Sequence, residues 1–122
     1  MRTRVKICCI SSAEEASLAI RYGADAVGLV GKMPSGPGPI ADELIASIAK
    51  NVHPPVSTFL LSSEQSASGL IRHLQRVQTS TVQIVDELTH GSYRQIREAL
   101  PHIRIVQVIH VTGEESMAQA LR

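Results

Sequence analysis

The chain has 122 residues, 43% of them hydrophobic and 19% charged, which is enough to form one globular domain, 1–122, with a buried core. The formal net charge is +1, aromatic residues make up 2%, and Lys and Arg form no run, so the surfaces that bind nucleic acid are missing. No apolar segment approaches the roughly 20 residues of a membrane span, and no signal peptide is evident. We therefore expect a cytoplasmic protein that binds neither nucleic acid nor membrane.

Short apolar runs alternate with segments of helical periodicity along the whole chain. The predicted strands cover residues 4–10, 26–30, 56–61, 81–85 and 104–109. The predicted helices cover residues 13–22, 41–51, 66–75, 92–100 and 114–122. The strands are rich in Val, Ile and Leu without alternation, as in a parallel sheet covered by helices, so the pattern predicts an α/β fold of five βα units.

Local signals mark several helix ends. Three Ser/Thr-x-x-Glu/Gln motifs predict capping boxes at 12–15, 62–65 and 112–115. Gly23 follows the first helix where a left-handed residue is favoured, and Pro101 ends the fourth.

Five βα units do not close a TIM barrel, which has eight strands. One interpretation is a partial barrel, the N-terminal part of a (β/α)8 fold with about five of its eight units. The other is an open five-stranded sheet whose edges, near Val5 and Val106, pair with a second copy or stay exposed.

Two adjacent cysteines end the first predicted strand. A disulfide between neighbouring residues is strained, so we expect reduced thiols. Strand alternation places Lys6 and Cys8 on one face and Cys9 on the other. If Lys6 and Cys8 face the interior of a barrel, Cys9 faces the helices.

Other motifs are less informative. The Pro- and Gly-rich segment 34–39 lacks the successive N–H groups of a phosphate-binding loop and is interpreted as a rigid rim of an active site. The five histidines lack the i, i+4 spacing of helical metal sites, so no structural metal is expected.

A resemblance to a known family rests mainly on the first thirty residues. "VKICCISSAEEASLAIRYGADAVGLV" is similar to the start of phosphoribosylanthranilate isomerases, where a "KICG(I/L)T" strand precedes an "A…GAD…GF(V/I)F" unit. "TVQIVDE" resembles the family's fourth strand, and "REALPHIRIVQVIHV" resembles the passage into the fifth. The likeness spans almost the whole chain.

The resemblance implies a (β/α)8 isomerase of tryptophan biosynthesis that needs no cofactor. It would convert a small phosphorylated substrate, N-(5-phosphoribosyl)anthranilate, to 1-(2-carboxyphenylamino)-1-deoxyribulose 5-phosphate by an Amadori rearrangement. Cys8 matches the family cysteine that acts as general base. A thiol acts as a base only when ionised, so the site must lower its pKa, with Lys6 as the candidate cation unless a carboxylate pairs with that lysine. Without the resemblance, Cys8 would be interpreted as inert packing.

The chain departs from the family at several positions. Cys9 replaces a glycine, and segment 34–39 lacks the arginine expected there. Gln83 is kept, but Val85 stands where the fourth strand offers histidine, and Gln107 replaces a lysine on the fifth. The resemblance implies altered contacts to the substrate.

The remaining candidate substrate-binding residues follow strands four and five. Asp86 and His110, with Lys6 and Gln83, would contact the substrate at the carboxyl ends of the strands, where barrel enzymes build their sites. Asp86 has an alternative role in starting a loop, and His110 has one as an exposed strand end.

The family's general acid is an aspartate on the sixth strand, and its phosphate sites follow strands seven and eight. Because five units lack these elements, we expect the isolated chain to be inactive. The alternative function is a non-catalytic half-barrel that acts by self-association, as a homodimer through its open edges, or by binding a small ligand.

Overall fold

The computed structural model describes all 122 residues, Met1–Arg122, as five strands and five helices in alternation. The strands are β1 (Lys6–Ile7), β2 (Ala26–Val30), β3 (Ser57–Ser62), β4 (Thr81–Ile84) and β5 (Arg104–Gln107). The helices are α1 (Ala13–Arg21), α2 (Asp42–Asn51), α3 (Ala67–Val77), α4 (Tyr93–Ala99) and α5 (Glu115–Ala120). The predicted alternation of strands and helices is confirmed.

The strands form one parallel sheet in the order β1-β2-β3-β4-β5. Strands that follow each other in the chain are therefore neighbours in space, and successive helices α1 to α4 pack on one another along one face. A sheet wound in one direction with its helices on one side is the geometry of a TIM-barrel segment. The predicted α/β class with about five of eight barrel units is confirmed.

The core lies between the sheet and the helices. Strand residues that point toward the helices are fully buried: Val27, Leu29, Leu60, Val82 and Ile84. They pack in one cluster with the apolar stripes of the helices, among them Ile45, Ile48, Leu70, Leu74 and Ile96. Burial of each such side chain contributes about 1.5–3 kcal/mol, so this layer fixes which face of every strand is left for a site.

The helix starts agree with the predicted capping only in part. Ser12 caps α1, where its Oγ accepts from the backbone N of Glu15 at 3.1 Å. The capping box at 62–65 is wrong, because Ser62 is the last residue of β3 and α3 is capped instead by Ser66. The motif at 112–115 does not cap α5, since Glu114 stands at its N-cap without a side-chain bond.

Both edge strands are shorter than predicted. β1 covers two residues instead of 4–10, and β5 ends at Gln107 instead of 109. Each has a neighbour on one side only. β1 also stops early because Cys9 has a left-handed backbone with φ of 56°. Backbone hydrogen bonds to β2 continue beyond the end of β1, because the Ile10 N–H donates to the Gly28 carbonyl at 3.1 Å.

Two further observations concern membrane-spanning helices and groups of metal-binding side chains. None of the five helices has the length and apolarity that crossing a bilayer requires. The expected cytoplasmic location stays a prediction. No group of three or more His, Cys, Asp or Glu side chains converges in the structure.

Candidate active site

Cys8 lies on the inner face of the sheet, the face turned away from the helices. The register pairs Lys6 with Ala26 and Ile7 with Val27, which places Cys8 beside Gly28. A Cβ built on Gly28 would lie 2.8 Å from the Cys8 Sγ, so both positions project to the same side. Glycine at position 28 therefore provides the room that the partly buried Cys8 thiol occupies at the carboxyl end of β1.

Lys6 shares this face and reaches across it. Its Nζ donates to the Gln83 Oε1 on β4 at 2.9 Å and lies 5.0 Å from the centre of the Phe59 ring on β3. The ammonium is thus held by an amide and an aromatic face, a cation–π contact, and not by the carboxylate considered above. Lys6 stays exposed, so its charge remains available on the inner face.

Cys9 does not face the helices, and that expectation is wrong. Its φ of 56° breaks the alternation of the strand, so its side chain turns toward the loop after β2. The Sγ lies 3.9 Å from the Pro37 carbonyl oxygen, and a Cβ built on Gly38 would lie 2.8 Å from it. The two thiols therefore lie at the same end of the sheet.

The environment of Cys9 favours its neutral form. The atoms around its sulfur desolvate the thiolate and raise the pKa of Cys9, and the neighbouring Cys8 raises that pKa further. The positive charge of Lys6 partly opposes this rise. Cys9 therefore stays protonated to higher pH than an ordinary cysteine.

The Pro- and Gly-rich segment forms a rim beside the two thiols. It is tied to β2 by a bridge between Val30 and Pro39 and by the Ile40 N–H, which donates to the Val30 carbonyl at 2.9 Å. Gly38 adopts φ of 103°, a conformation that L side chains rarely adopt. The rim thus places the Pro37 carbonyl beside the Cys9 sulfur, at the carboxyl end of the strands.

Asp86 and His110 follow β4 and β5 at the same end of the sheet. The His110 Nε2 lies 2.8 Å from the Val85 carbonyl oxygen, and this contact ties the ends of the two strands together. Asp86 is partly buried and takes part in none of the four ion pairs. No hydrogen bond joins either residue to Cys8, which is separated from them by β2 and β3. Their role in substrate binding stays a prediction.

Gln107 lies on the helix side of β5 and not on the inner face. Its Nε2 donates to the carbonyls of Ile84 and Asp86, each at 3.1 Å, and its Oε1 accepts from the Tyr93 hydroxyl at 2.7 Å. This glutamine therefore holds α4 and β4 to β5. The residue that pairs with Gln83 across the inner face is Val106.

A second polar cluster lies on the helix side, where the last residue of β3 meets the start of α2 and the middle of α3. The His73 Nε2 lies 2.8 Å from the Asp42 Oδ1, and its Nδ1 lies 3.3 Å from the Ser62 Oγ. Arg76 adds a contact to Asp42 at 3.3 Å. Ser62 is 1% exposed and its Oγ also accepts from the backbone of Glu64, so this hydroxyl is not free for nucleophilic chemistry. The cluster joins α2, α3 and β3.

Sequence reasoning missed Phe59, Gly28 and the cluster around His73. Phe59 and Gly28 lie in the same row of the sheet as Cys8, a relationship that depends on strand register. The alternation within each strand could have indicated the face, but no local pattern sets the register between strands. The contact between residues 42 and 73 depends on the packing of α2 on α3.

The inner face thus carries the thiol of Cys8, the ammonium of Lys6 and the amide of Gln83. The sheet is wound like a segment of a (β/α) barrel, and its rim loop lies at the carboxyl ends of the strands. This is the arrangement in which barrel enzymes assemble their sites. The fold places the chain in the class of (β/α)-barrel proteins, with a polar inner face where such barrels build their sites.

Comparison with known proteins identifies the family. No family model matches the chain. N-(5'-phosphoribosyl)anthranilate isomerase 2 of Methanosarcina mazei is 30% identical over 111 residues, which are 90% of this chain and 49% of that protein. The chain spans about half the length of the curated relatives it matches.

Solved structures agree with this match. A phosphoribosylanthranilate isomerase in complex with reduced 1-(o-carboxyphenylamino)-1-deoxyribulose 5-phosphate has a TM-score of 0.81 and 28% identity, over 98% of this chain and 60% of that one. Monomers generated from the dimeric isomerase of Thermotoga maritima give a TM-score of 0.80 and 27% identity, with coverage of 98% and 60%. The chain belongs to the phosphoribosylanthranilate isomerase family, as the resemblance implied.

Proposed function

We propose that this chain supplies the first five βα units of a phosphoribosylanthranilate isomerase, with Cys8 as the general base. The observation that carries the proposal is the position of the Cys8 thiol on the inner face, at the carboxyl end of β1 and in the space left by Gly28. A sulfur turned toward the helices would have no access to a substrate inside the barrel.

The proposed chemistry is an Amadori rearrangement of N-(5-phosphoribosyl)anthranilate. A general acid protonates the ring oxygen, which opens the furanose and gives a Schiff base. The Cys8 thiolate then accepts the proton from C2′, and the resulting enolamine becomes the 1-deoxyribulose product. Cys9, whose pKa is raised, stays protonated and does not compete with Cys8 as the base.

The anionic substrate matches the charge on the inner face. Lys6 presents its ammonium there, and Gln83 fixes the direction of that ammonium through the bond of 2.9 Å. Asp86 and His110 follow β4 and β5 and would contact the substrate from the edge of the sheet opposite β1. The related enzyme that holds the reduced deoxyribulose phosphate supports a ligand of this chemistry.

Activity is proposed for the closed barrel and not for the 122 residues alone. The inner face carries no carboxylate in contact with Cys8 that could serve as the acid, and both edges of the sheet are open. The family acid and phosphate sites belong to three further βα units.

Two measurements test the proposal. Titration of the chain with reduced 1-(o-carboxyphenylamino)-1-deoxyribulose 5-phosphate should perturb the signals of Lys6 and Gln83 in an amide NMR spectrum. The chain joined to the last three βα units of the Thermotoga maritima isomerase should then rearrange phosphoribosylanthranilate, whereas the chain alone should not. A folded joined protein that neither binds the analogue nor turns over the substrate would refute the proposal.

A second candidate function is self-association through the open edges. β1 borders an apolar groove of about 360 Å³ between the strand and α1, in which Val5, Ile7 and Leu18 are each more than 40% exposed. An unpaired strand edge can pair with another strand, and a second copy of the chain offers an equivalent unpaired edge. The Thermotoga maritima isomerase is itself described as dimeric. A discrete dimer by light scattering that Leu18→Glu dissociates would support this function, and a monomer at all concentrations would exclude it.

A further inference from the structure

The two thiols at the end of β1 are placed as a pair. In a regular strand, adjacent side chains point to opposite faces, and two neighbouring cysteines could not meet. The left-handed backbone at Cys9 cancels that alternation, so its side chain turns toward the rim at the end of the sheet where Cys8 also lies. The pair is reduced, with Cys8 partly buried and Cys9 exposed.

The surroundings of the pair fit a ligand that uses both sulfurs from one side. The bare Cα of Gly28 lies behind the Cys8 sulfur, and the rim segment at Pro37 and Gly38 lies beside the Cys9 sulfur. Thiolates are soft donors, and Lys6 supplies positive charge near the pair. No third His, Cys, Asp or Glu converges on them, so the site offers two ligands and an open side.

This donor set selects the geometry of the ligand. A two-coordinate ion that requires sulfurs on opposite sides cannot be spanned by adjacent residues. A four-coordinate ion such as Zn²⁺ needs more protein ligands than are present. A pyramidal centre that bonds two sulfurs at close to a right angle and keeps one substituent of its own fits the pair.

We propose that Cys8 and Cys9 form a chelating dithiol site for trivalent organoarsenicals. With phenylarsine oxide, the arsenic–oxygen bonds break and two arsenic–sulfur bonds form. The two thiol protons leave with the oxygen as water. Arsenic stays trivalent and neither sulfur is oxidised, so no further reactant is needed.

Binding at this site does not require isomerase activity, although its occupation blocks Cys8. The test uses the 122-residue chain with phenylarsine oxide, an intact-mass measurement, and a challenge with excess mercaptoethanol, a monothiol. One arsenical per chain should survive the monothiol, and dithiothreitol, a dithiol, should release it. Linking two donors typically gains about 10²–10⁴-fold in affinity, so Cys8→Ser and Cys9→Ser should each weaken binding by about that factor.

Cys9→Gly serves as a second variant, because glycine accepts the left-handed backbone and so keeps the fold. It should also lose the monothiol-resistant adduct. The proposal is overturned if a single-thiol variant retains that adduct, if two arsenicals bind per chain, or if the wild-type chain forms no adduct that survives the monothiol. None of these outcomes depends on substrate turnover, so they leave the proposed isomerase function unaffected.

Discussion

Lys6 on the edge strand β1 donates a hydrogen bond of 2.9 Å to Gln83 on β4, across the two strands that separate them. The bond passes over Phe59, whose ring centre lies 5.0 Å from the ammonium. One long side chain thus spans the inner face and brings a positive charge to its middle. Residues 77 positions apart in the chain are joined at the site where we place the substrate.

Replacement of Lys6 tests whether that charge binds the anionic ligand. Lys6→Met should weaken binding of the reduced deoxyribulose phosphate by about tenfold, the effect of losing roughly 1.4 kcal/mol. Because Lys6 is exposed, the free energy of unfolding should fall by less than about 1 kcal/mol. Lys50→Met is the matched control, since it removes an equally exposed lysine from α2. Equal affinity of both variants, measured by calorimetric titration, would show that Lys6 does not bind the ligand.

The backbone at Cys9 predicts an effect on stability. A left-handed conformation costs an L residue about 1–2 kcal/mol, and glycine avoids most of that cost. Cys9→Gly should therefore be more stable than Cys9→Ala by about 1 kcal/mol in urea unfolding, although both variants lose the same thiol. Equal midpoints for the two variants would contradict the left-handed backbone.

The cluster around His73 predicts a second stability effect. Asp42→Ala leaves the Nε2 of a 7% exposed histidine without its partner, at a cost of about 1–3 kcal/mol. Glu43→Ala removes the neighbouring carboxylate from the same helix start, but Glu43 is exposed and takes part in no ion pair. We expect the control to unfold close to the wild-type midpoint. Similar losses in both variants would mean that charge at the helix start, and not the contact with His73, stabilises α2.

Asp25 predicts a dependence of stability on pH. Its side chain accepts hydrogen bonds from Arg2 and, at 2.8 Å, from the Val5 backbone, and these bonds lower the pKa of Asp25 below its ordinary value. A lowered pKa in the folded state contributes stability above the unfolded pKa of about 3.9, and that contribution is lost as pH falls through the folded pKa. The wild-type chain should therefore exceed Asp25→Asn in stability at neutral pH, and the difference should vanish in acid.

The control for this pH dependence is Glu14→Gln, which removes an exposed carboxylate that lies outside every ion pair. In urea unfolding, the difference in free energy of unfolding between Glu14→Gln and wild type should change little over the same range of pH. A gap between wild type and Asp25→Asn that persists or widens in acid would contradict the assigned role of Asp25.

The sequence predicted the succession of elements because each strand and helix is set by local periodicity. α3, for example, places Leu70, Leu74 and Val77 on one stripe, which the residues themselves display. The shared face of Lys6 and Cys8 followed from alternation within one strand. These features depend on a few neighbouring residues, and they agree with the structure.

Features that depend on distant contacts could not be predicted. Cys9 obeys alternation only if its backbone is extended, and nothing in "ICCI" shows that it is left-handed. Gln107 stands where the resemblance places a lysine, but Tyr93 and two carbonyls hold it on the helix side. The capping motif at Ser62 was overridden because β3 runs on to that residue. In each case the tertiary arrangement outweighed a local pattern.

We propose that the Cys8 thiolate accepts the C2′ proton on the inner face. The most direct test of this claim is the turnover of phosphoribosylanthranilate by the chain joined to the last three barrel units of the Thermotoga maritima isomerase, with and without Cys8→Ala. Loss of a general base typically costs about 10²–10⁴-fold, so we predict a fall in kcat of that size, with Lys50→Met as the unaffected control. A Cys8→Ala protein that is folded and retains the kcat of the parent would contradict the claim.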